Sequence, residues 1–169
     1  MVCTAARTGR HLQRYSEDNC RLVVGCIPYR YKNGKKGTCP EDDLEVLLVS
    51  SRKSQAMMFP KGGWELDESV EEAASRESLE EAGVLGNVEC ELGRWTYKSN
   101  SRELYHQGFV FPLLVTQQLE LWPEQTARKR QWMSVAEAKE ACEQLWMKEA
   151  LAILVDRLTS STLQEEKQA

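Results

Sequence analysis

The stretch GGWELDESVEEAASRESLEEAGV, residues 62–84, decides how this chain folds. It leads from a glycine pair into a predicted helix from Glu68 to Ala82, which Gly83 closes as the C-cap. At about 100° per residue, three carboxylates of this helix share one face within a single turn: Glu77, Glu80 and Glu81. The same face carries small apolar residues that let a helix pack closely on a sheet: Val70, Ala73 and Ala74. We therefore expect the three glutamates at the rim of a packed surface and not in bulk solvent.

Three carboxylates so close together repel one another, and partial burial increases that cost. A hard divalent cation relieves the repulsion, because Mg²⁺ binds carboxylate oxygens and keeps waters that a phosphate group can replace. The alternative is an acidic face exposed to solvent, which is common in surface helices. The three glutamates alone do not decide between these two interpretations.

Composition indicates one ordinary globular domain. The chain has 169 residues, of which 41% are apolar, and a chain of this length buries about 70% of its unfolded surface. The strongest apolar run, residues 109–115, is far shorter than the ~18 residues of a membrane span, so we predict no membrane partner. The six cysteines lack CxxC spacing and only two histidines accompany them. This pattern favours reduced thiols over a disulfide framework or a zinc site.

Charge is unevenly distributed along the chain. The net charge of −4 conceals basic clusters at residues 29–36, 51–53, 61 and 128–130. An acidic protein with local basic patches is not typical of a nucleic-acid binder, but it suits a metal site that faces a polyanionic small molecule. We therefore predict a polyphosphorylated small molecule as partner and no specific nucleic acid, and we leave the oligomeric state open.

The first fifteen residues contain three arginines and no acidic residue, the arginines being Arg7, Arg10 and Arg14. This composition resembles a weak mitochondrial transit segment, but the segment is short and lacks the apolar centre of a signal peptide. We predict a cytoplasmic and/or nuclear location, with a mitochondrial location as the alternative.

Turn residues and apolar periodicity divide the rest of the chain into elements. Strands are predicted, with polar loops between them, over residues 20–31, 44–51, 88–98, 105–116 and 128–134. A second long helix is predicted from Val135 to about Thr159, with Ser134 as N-cap and Glu137 three residues later. Strands mixed with two main helices predict an α/β (α+β) sandwich. We place the domain at residues 20–158, between a partly flexible segment, 1–19, and a flexible tail, 159–169.

The spacing within the opening stretch is more specific than its composition. It resembles the Nudix box, GX5EX7REUXEEXGU with U bulky and aliphatic, at eight of nine specified positions: Gly62, Glu68, Arg76, Glu77, Glu80, Glu81, Gly83 and Val84. The exception is Ser78, where the family usually has Leu, Ile or Val. That change replaces a core contact with a hydroxyl and touches no metal ligand. The resemblance implies a Nudix-type α/β/α sandwich, with a mixed β-sheet between helices, that hydrolyses diphosphate linkages.

The resemblance also implies a role for each matching residue. The three glutamates and the backbone carbonyl of Gly62 are then metal ligands, and either Glu77 or Glu81 also acts as general base on the attacking water. Glu68 and Arg76 form a structural ion pair that orients the catalytic turn. Mg²⁺ is the expected cofactor, and Mn²⁺ is able to substitute for it.

Similarity extends beyond the box, over roughly residues 20 to 150. The segments VGCIPYR, LLVSSRK, FPKGG and RKRxW resemble diphosphoinositol polyphosphate phosphohydrolases and the related diadenosine polyphosphate hydrolases. The PKGGWE sequence is most similar to that of the plant members of this group. Lys61 stands where animal members usually have Gly, and FPKGG is also common among dinucleoside polyphosphate hydrolases, so both substrate classes stay open.

An inositol pyrophosphate carries a dense cluster of phosphates, and its pocket needs Lys and Arg side chains around the metal site. The candidate substrate-binding residues are Arg21, Ser50, Ser51, Arg52, Lys61, Gly62, Gly63, His106, Arg128 and Lys148. Arg128 and Arg130 share a face of a straight strand, so periodicity does not choose between them, and the resemblance favours Arg128. A further acid from a loop beyond the box is left open between Glu120 and Glu124.

Four functions follow, in order of preference. We predict a Mg²⁺-dependent diphosphoinositol polyphosphate phosphohydrolase, with a diadenosine polyphosphate hydrolase as the alternative. A dinucleotide substrate needs a stacking surface. The aromatic residues that could supply one are Trp64, Trp95, Tyr97, Trp122 and Trp132. The third function is an inactive Nudix-fold module that binds a polyphosphate or a protein, against which the intact glutamates argue. A decapping or mutagenic-nucleotide role is a weaker fourth hypothesis.

Overall fold

The computed structural model describes residues 5–168 except 8, 10, 35, 37, 38 and 100–103. Arg10, part of the N-terminal segment and most of the polar link predicted at 99–104 therefore lie outside the described residues. In the described part of the chain, no helix is both long and apolar enough to cross a membrane.

One mixed sheet forms the centre of the fold. Its eight described strands are β1 Arg21–Tyr31, β2 Leu44–Ser50, β3 Met57–Met58, β4 Lys61–Gly63, β5 Val84–Val88, β6 Gly93–Lys98, β7 Tyr105–Gln118 and β8 Arg130–Ser134. The strand order is β3-β2-β1-β7-β5, with β4 paired to β1, β6 to β7 and β8 to β2. Strands β1 and β7 run parallel, in register from Arg21 beside His106 to Tyr29 beside Leu114, and the other pairs are antiparallel.

Helices cover both faces of this sheet, as expected for an α/β/α sandwich. The helices are α1 Pro40–Asp43, α2 Val70–Ala82, α3 Val135–Ala141 and α4 Leu145–Gln168, and a 3-10 turn spans Lys32–Gly34. On one face, Ala73 and Ala74 of α2 pack with Val24, Leu47 and Phe111. On the other face, α3 and α4 pack with the alternate residues of the same strands, including Ile27, Leu48 and Val110. The predicted fold class is confirmed.

The helix of the box ends at Ala82 as predicted, but it begins at Val70 and not at Glu68, because Ser69 is its N-cap. The Ser69 side chain accepts a hydrogen bond from the Glu72 amide, and the Glu72 side chain bonds the Ser69 amide in return. Gly83 has φ 66° and ends the helix in the left-handed conformation that favours glycine. The predicted N-cap at Ser134 is also confirmed, with Glu137 completing its capping box.

The second long helix differs from its prediction in two ways: it is interrupted at Cys142, and it ends later than predicted. Cys142 has extended backbone angles, pairs with Met57 in an isolated bridge and separates α3 from α4. This contact between distant parts of the chain overrides a continuous helical pattern. Helix α4 then continues to Gln168 instead of ending near Thr159, in keeping with the high helix propensity of its Leu, Gln, Glu and Lys residues. The predicted domain boundaries stay predictions.

Several strands also differ from their predictions: β3 and β4 were not predicted, and β6 begins at Gly93 instead of residue 88. Strand β5, residues Val84–Val88, was not predicted, because its Gly86-Asn87 pair is typical of a turn. It nevertheless pairs with β7, where a Cβ at Gly86 would lie 2.1 Å from the Leu114 carbonyl oxygen. Only glycine allows that close approach. Strand β8 begins at Arg130, which leaves residues 128–129 in the loop before it.

Candidate active site

The loop before α2 brings backbone and carboxylate together. Strand β4 pairs Gly62 with Val24 and Gly63 with Val23 of β1, directly before the box helix. A Cβ at Gly62 would lie 2.2 Å from Glu77 Oε1, so a side chain at this position would displace the carboxylate. Glycine is therefore required for the close approach of Glu77 to the loop backbone.

The three box glutamates are buried, as expected of residues at a packed rim. The exposed fraction of the residue is 6% for Glu77, 7% for Glu80 and 4% for Glu81. Burial raises the pKa of each carboxyl, and for Glu77 the neighbouring charge of Glu81 adds to the increase. The pKa of Glu81 rises to about 7 through burial, although Arg128 opposes the change. The cluster thus carries an electrostatic cost that a cation would relieve.

Arg76 is at the centre of the predicted ion-pair network. Its Nε and Nη2 form a forked pair with the two carboxylate oxygens of Glu68 at 2.8 and 2.7 Å. Nη2 also donates to the Gly63 carbonyl at 2.9 Å, while Nη1 contacts Glu77 Oε1 at 2.8 Å and Glu80 Oε2 at 3.2 Å. The expected Glu68–Arg76 pair is present, and it ties the loop to the first two glutamates.

The donor set fits a hard divalent cation. Three buried carboxylates next to a glycine backbone offer only oxygen ligands, the type that Mg²⁺ and Mn²⁺ accept. Among the described residues, no three His, Cys, Asp or Glu side chains already have the spacing of a metal centre. Arg76 and Arg128 instead hold these carboxylates, so a cation would exchange with guanidinium groups there.

Glu124 is the acid outside the box that the structure places beside it. Its amide donates to the Glu80 carbonyl at 3.0 Å, and its buried carboxylate accepts from Arg52 Nη2 at 2.7 Å and Arg128 Nε at 3.2 Å. Arg128 in turn donates from Nη2 to Glu81 Oε1 at 3.0 Å. The other candidate, Glu120, is exposed. Of the two, Glu124 is therefore the one connected to the last turn of α2.

A basic cleft adjoins this network. Residues 50–55 and 125–129 line a cavity of about 570 Å³ that contains the cations Arg52, Lys53, Arg128 and Lys129. The two predicted serines stabilise its walls: Ser50 Oγ accepts from the Lys129 amide at 2.9 Å, and Ser51 Oγ accepts from the Lys53 amide at 3.3 Å. We call this cavity the basic cleft.

The other predicted binding side chains lie outside the basic cleft, and they are those of Lys61, Arg21, His106 and Lys148. The Lys61 amide donates to Glu81 Oε2 at 3.1 Å, and burial lowers the pKa of its side chain. Arg21 and His106 are neighbours in the β1–β7 register, and Arg21 Nε donates to Gln13 Oε1 at 2.9 Å. Lys148 lies in the first turn of α4, where its amide donates to the Gln144 carbonyl at 3.2 Å, and it does not line the basic cleft.

The aromatic residues are engaged with other side chains. Arg14 lies over Trp64, Arg130 over Trp122 and Arg30 over Trp132, at 4.4, 3.8 and 3.9 Å from the ring centroids. Tyr97 stacks on Trp146, and Trp95 donates to Glu149. One face of four of the five rings is therefore already covered, which disfavours them as a base-stacking surface.

The comparisons with known proteins agree with this geometry. The model of the NUDIX domain matches residues 23–154. The chain belongs to the Nudix family. It is 61% identical to Nudix hydrolase 17, mitochondrial, of Arabidopsis thaliana over 99% of this chain and 91% of that protein. It is 40% identical to the Mus musculus diphosphoinositol polyphosphate phosphohydrolase 3-alpha over 73% of this chain and 70% of that one. This Nudix hydrolase acts on phosphoanhydride bonds, as predicted.

Solved structures show the same fold at low sequence identity. The binary complex of the C. elegans Ap4A hydrolase has a TM-score of 0.62 at 21% identity, covering 82% of this chain and 98% of that one. The NUDIX domain of Shewanella oneidensis NrtR complexed with ADP ribose has a TM-score of 0.64 at 18% identity, covering 82% and 88%. At these identities the likeness establishes the Nudix fold and nothing finer.

The predicted location of this Nudix hydrolase is wrong. Two Arabidopsis thaliana relatives that are each 61% identical, Nudix hydrolases 17 and 18, are both named mitochondrial. This finding contradicts a cytoplasmic and/or nuclear location. The prediction failed because it gave the shortness of the arginine-containing segment more weight than its composition.

The contacts of two groups of residues with the box were missed by sequence reasoning, which had considered these residues for other roles. In the N-terminal segment, the Arg7 amide donates to Glu80 Oε1 at 3.0 Å, and its guanidinium pairs with Glu65 and Asp67. Arg130 and Trp122 contact the other end of α2. A signal for the first group existed, since a segment with arginines and no acid precedes a loop rich in acids. The second group has no comparable signal.

Proposed function

We propose that this Nudix hydrolase is a Mg²⁺-dependent phosphohydrolase whose preferred substrate is an inositol pyrophosphate. The observation that carries the proposal is the position of Arg128, which bonds Glu81 of the catalytic turn and also lines the basic cleft. A substrate whose diphosphate lies at the glutamates therefore meets a cationic surface for its other phosphates. Dense phosphorylation is what that surface suits.

The charges of the cleft support a highly charged ligand. Four cations line it, and two of them, Arg52 and Arg128, are held side by side by the single carboxylate of Glu124. Arg128 also pairs with Glu81, so the four cations still outnumber the two carboxylates that pair with them. Lys61, whose amide bonds Glu81 Oε2, and Arg21, whose charge acts on Lys61, are two further basic residues near Glu81. The 40% identity to the mouse diphosphoinositol polyphosphate phosphohydrolase is consistent with this substrate class.

Each residue of the site has a defined task in the proposed reaction. When bound, the metal neutralises the diphosphate and lowers the pKa of a water molecule. Either Glu77 or Glu81 accepts the proton of the attacking water, whose oxygen bonds to phosphorus as the bond to the bridging oxygen breaks. Arg76 holds the carboxylates of the turn in place, and Arg128 aligns Glu81 with the cleft.

A diadenosine polyphosphate hydrolase is the second candidate. The FPKGG sequence at residues 59–63 favours it, since that form is common among hydrolases of this substrate. The covered aromatic rings argue against it, because adenine recognition needs an accessible stacking surface. An inactive binding module is disfavoured by the three intact, buried glutamates.

The test is a turnover assay with Mg²⁺ on an inositol pyrophosphate and on a diadenosine polyphosphate, side by side. We expect a higher kcat/KM for the inositol substrate. We also expect Arg52→Ala and Lys53→Ala to lower kcat/KM for the inositol substrate by a larger factor than kcat/KM for the dinucleotide. Lys139→Ala is the matched control, because Lys139 is a half-exposed lysine that pairs with Glu41 on the surface. Preference for the dinucleotide would reject the proposed substrate.

Glu81→Gln tests the catalytic turn in the same assay. Turnover should fall at least ~10²-fold, as expected when a metal ligand or base is removed, while the protein stays folded. Glu71→Gln, an exposed position of the same helix, is the control. Near-normal turnover of Glu81→Gln would remove Glu81 from the site.

A further inference from the structure

The last turn of α2 is capped by one segment of the chain, residues 119–130, which we call the capping segment. A helix leaves its final carbonyl groups without partners inside the helix. Here the carbonyls of residues 80–83 accept hydrogen bonds at 2.8–3.1 Å from the amides of Leu119 and Glu124, Trp122 Nε1 and Arg130 Nη1. Every carbonyl of this last turn is thus satisfied by the capping segment.

Arg130 and Trp122 form the centre of this cap. The guanidinium lies 3.8 Å from the centroid of the indole, and both groups pack against the bare Cα of Gly83. A Cβ at Gly83 would lie 2.7 Å from Arg130 Nη1 and 2.8 Å from Trp122 Cβ. The cation is placed at the negative end of the helix dipole, where it is favourable. The box glycine therefore serves both the left-handed turn and this contact.

The capping segment also carries the arginine of the basic cleft. Arg128 is two residues from Arg130, and its Nη2 bonds the Glu81 carboxylate at 3.0 Å. Trp122 Nε1 bonds the Glu81 carbonyl at 3.1 Å. Glu81 is thus held through its side chain and its backbone by the same segment. The position of the cleft and the position of the catalytic turn are fixed together.

We propose that Arg130 and Trp122 are positioning residues of this hydrolase, which hold the carboxylates of Glu80 and Glu81 at the spacing that a divalent cation needs. Both glutamates lie in the last turn of α2, the part of a helix that frays first when its cap is lost. Metal ligands require a supporting shell to keep their geometry. The inference rests on the proposed metal-binding role of the box glutamates.

The experiment compares Mn²⁺ binding to the full chain and its variants, measured from the electron paramagnetic resonance signal of free Mn²⁺. Trp122→Phe keeps an aromatic ring but loses the hydrogen bond to the Glu81 carbonyl, and we expect Mn²⁺ binding to be about 5-fold weaker. Arg130→Met should weaken binding about 10-fold, and Arg130→Lys should restore part of the loss because it keeps the charge. In turnover, kcat should fall more than the substrate KM rises.

Trp132→Phe is the matched control. Trp132 also lies beneath an arginine, at 3.9 Å from Arg30, and its Nε1 also donates a hydrogen bond, here to Gln118 Oε1 at 2.8 Å. Because these contacts are with side chains outside α2, this variant should bind Mn²⁺ as the unchanged protein does. A loss of thermal stability common to both tryptophan variants would not alter that comparison of affinities.

The outcomes separate the two proposals. Weaker Mn²⁺ binding in Trp122→Phe with unchanged binding in Trp132→Phe supports the positioning role, even if Arg130→Met does not fold. Wild-type affinity in Trp122→Phe and Arg130→Lys, or equal losses in both tryptophan variants, would overturn the positioning role while leaving the proposed function intact. No Mn²⁺ binding by the unchanged protein would overturn the proposed function and this inference together.

Discussion

Ser78 is the residue at which this chain departs from the Nudix box, and its surroundings show the cost of that departure. The residue is fully buried on the face of α2 that packs on the sheet. Within the described structure its hydroxyl has no partner with hydrogen-bond geometry. Its neighbour is the thiol of Cys26, whose pKa burial raises to about 12, and a thiol is only a weak hydrogen-bond partner. An aliphatic residue would leave no such group unsatisfied.

Replacing Ser78 with alanine should therefore stabilise the protein. Ser78→Ala removes a buried hydroxyl without a good partner and introduces a better helix former, so the free energy of unfolding should rise by about 1 kcal/mol. Urea denaturation followed by circular dichroism measures the change. Ser75→Ala, on the same helix and half-buried, controls for helix propensity. A loss of stability in Ser78→Ala would show that the contact with Cys26 is a favourable hydrogen bond.

At the scale of elements, local signals predicted what local forces determine. The C-cap of α2 and the N-cap of α3 were predicted because each depends on residues within one turn of the helix. The break at Cys142 and strand β5 were missed because each depends on a partner far along the chain, Met57 for the first and β7 for the second. The N-terminal segment was missed for the same reason, since its contacts are with the loop of the box.

Arg14 provides the test of that N-terminal contact. Its guanidinium donates to the carbonyls of Glu65, Leu66 and Glu68 at 3.0–3.2 Å and lies over the Trp64 ring. Arg14→Met keeps an aliphatic chain but loses these donors, so the free energy of unfolding should fall by about 1–2 kcal/mol. Amide hydrogen exchange of residues 62–68 should become faster, as measured by mass spectrometry.

A matched control separates this effect from a general loss of an arginine. Arg94 also lies over an aromatic ring, that of Phe109 at 4.8 Å, and its side chain is mostly exposed. Arg94→Met should leave exchange in residues 62–68 unchanged. Equal exchange in Arg14→Met and the unchanged protein would show that the loop of the box is held without this segment.

At the scale of the molecule, the site combines a local motif with distant counter-charges. Helical spacing predicted that the three glutamates share a face, and the resemblance to the Nudix box implied the Glu68–Arg76 pair, because all of these residues lie within one loop and helix. The groups that hold them come from far away. The guanidinium of Arg128, 47 residues from Glu81, pairs with that carboxylate, and the backbone amide of Arg7, 73 residues from Glu80, donates to Glu80 Oε1. Resemblance suggested Arg128, and the arginines without acids in the N-terminal segment were the signal for Arg7. The fold assembles a cluster of buried carboxylates whose charge is costly, since burial raises the pKa of all three carboxyls.

This cost predicts that one substitution separates stability from metal binding. Glu77→Gln removes a buried charge whose pKa is raised by burial and by Glu81, while Arg76 keeps its pair with Glu68. In EDTA, the thermal midpoint of Glu77→Gln should equal or exceed that of the unchanged protein. Mg²⁺ at a hundredfold excess over Kd should raise the midpoint of the unchanged protein by about 5–10 °C, because a ligand of the folded state stabilises it. The same addition should raise the midpoint of Glu77→Gln by less than about 2 °C.

Glu71→Gln, exposed on the same helix, should respond to Mg²⁺ as the unchanged protein does. A lower midpoint of Glu77→Gln in EDTA would mean that its pair with Arg76 outweighs the repulsion, and a full response to Mg²⁺ would mean that Glu77 is not a ligand.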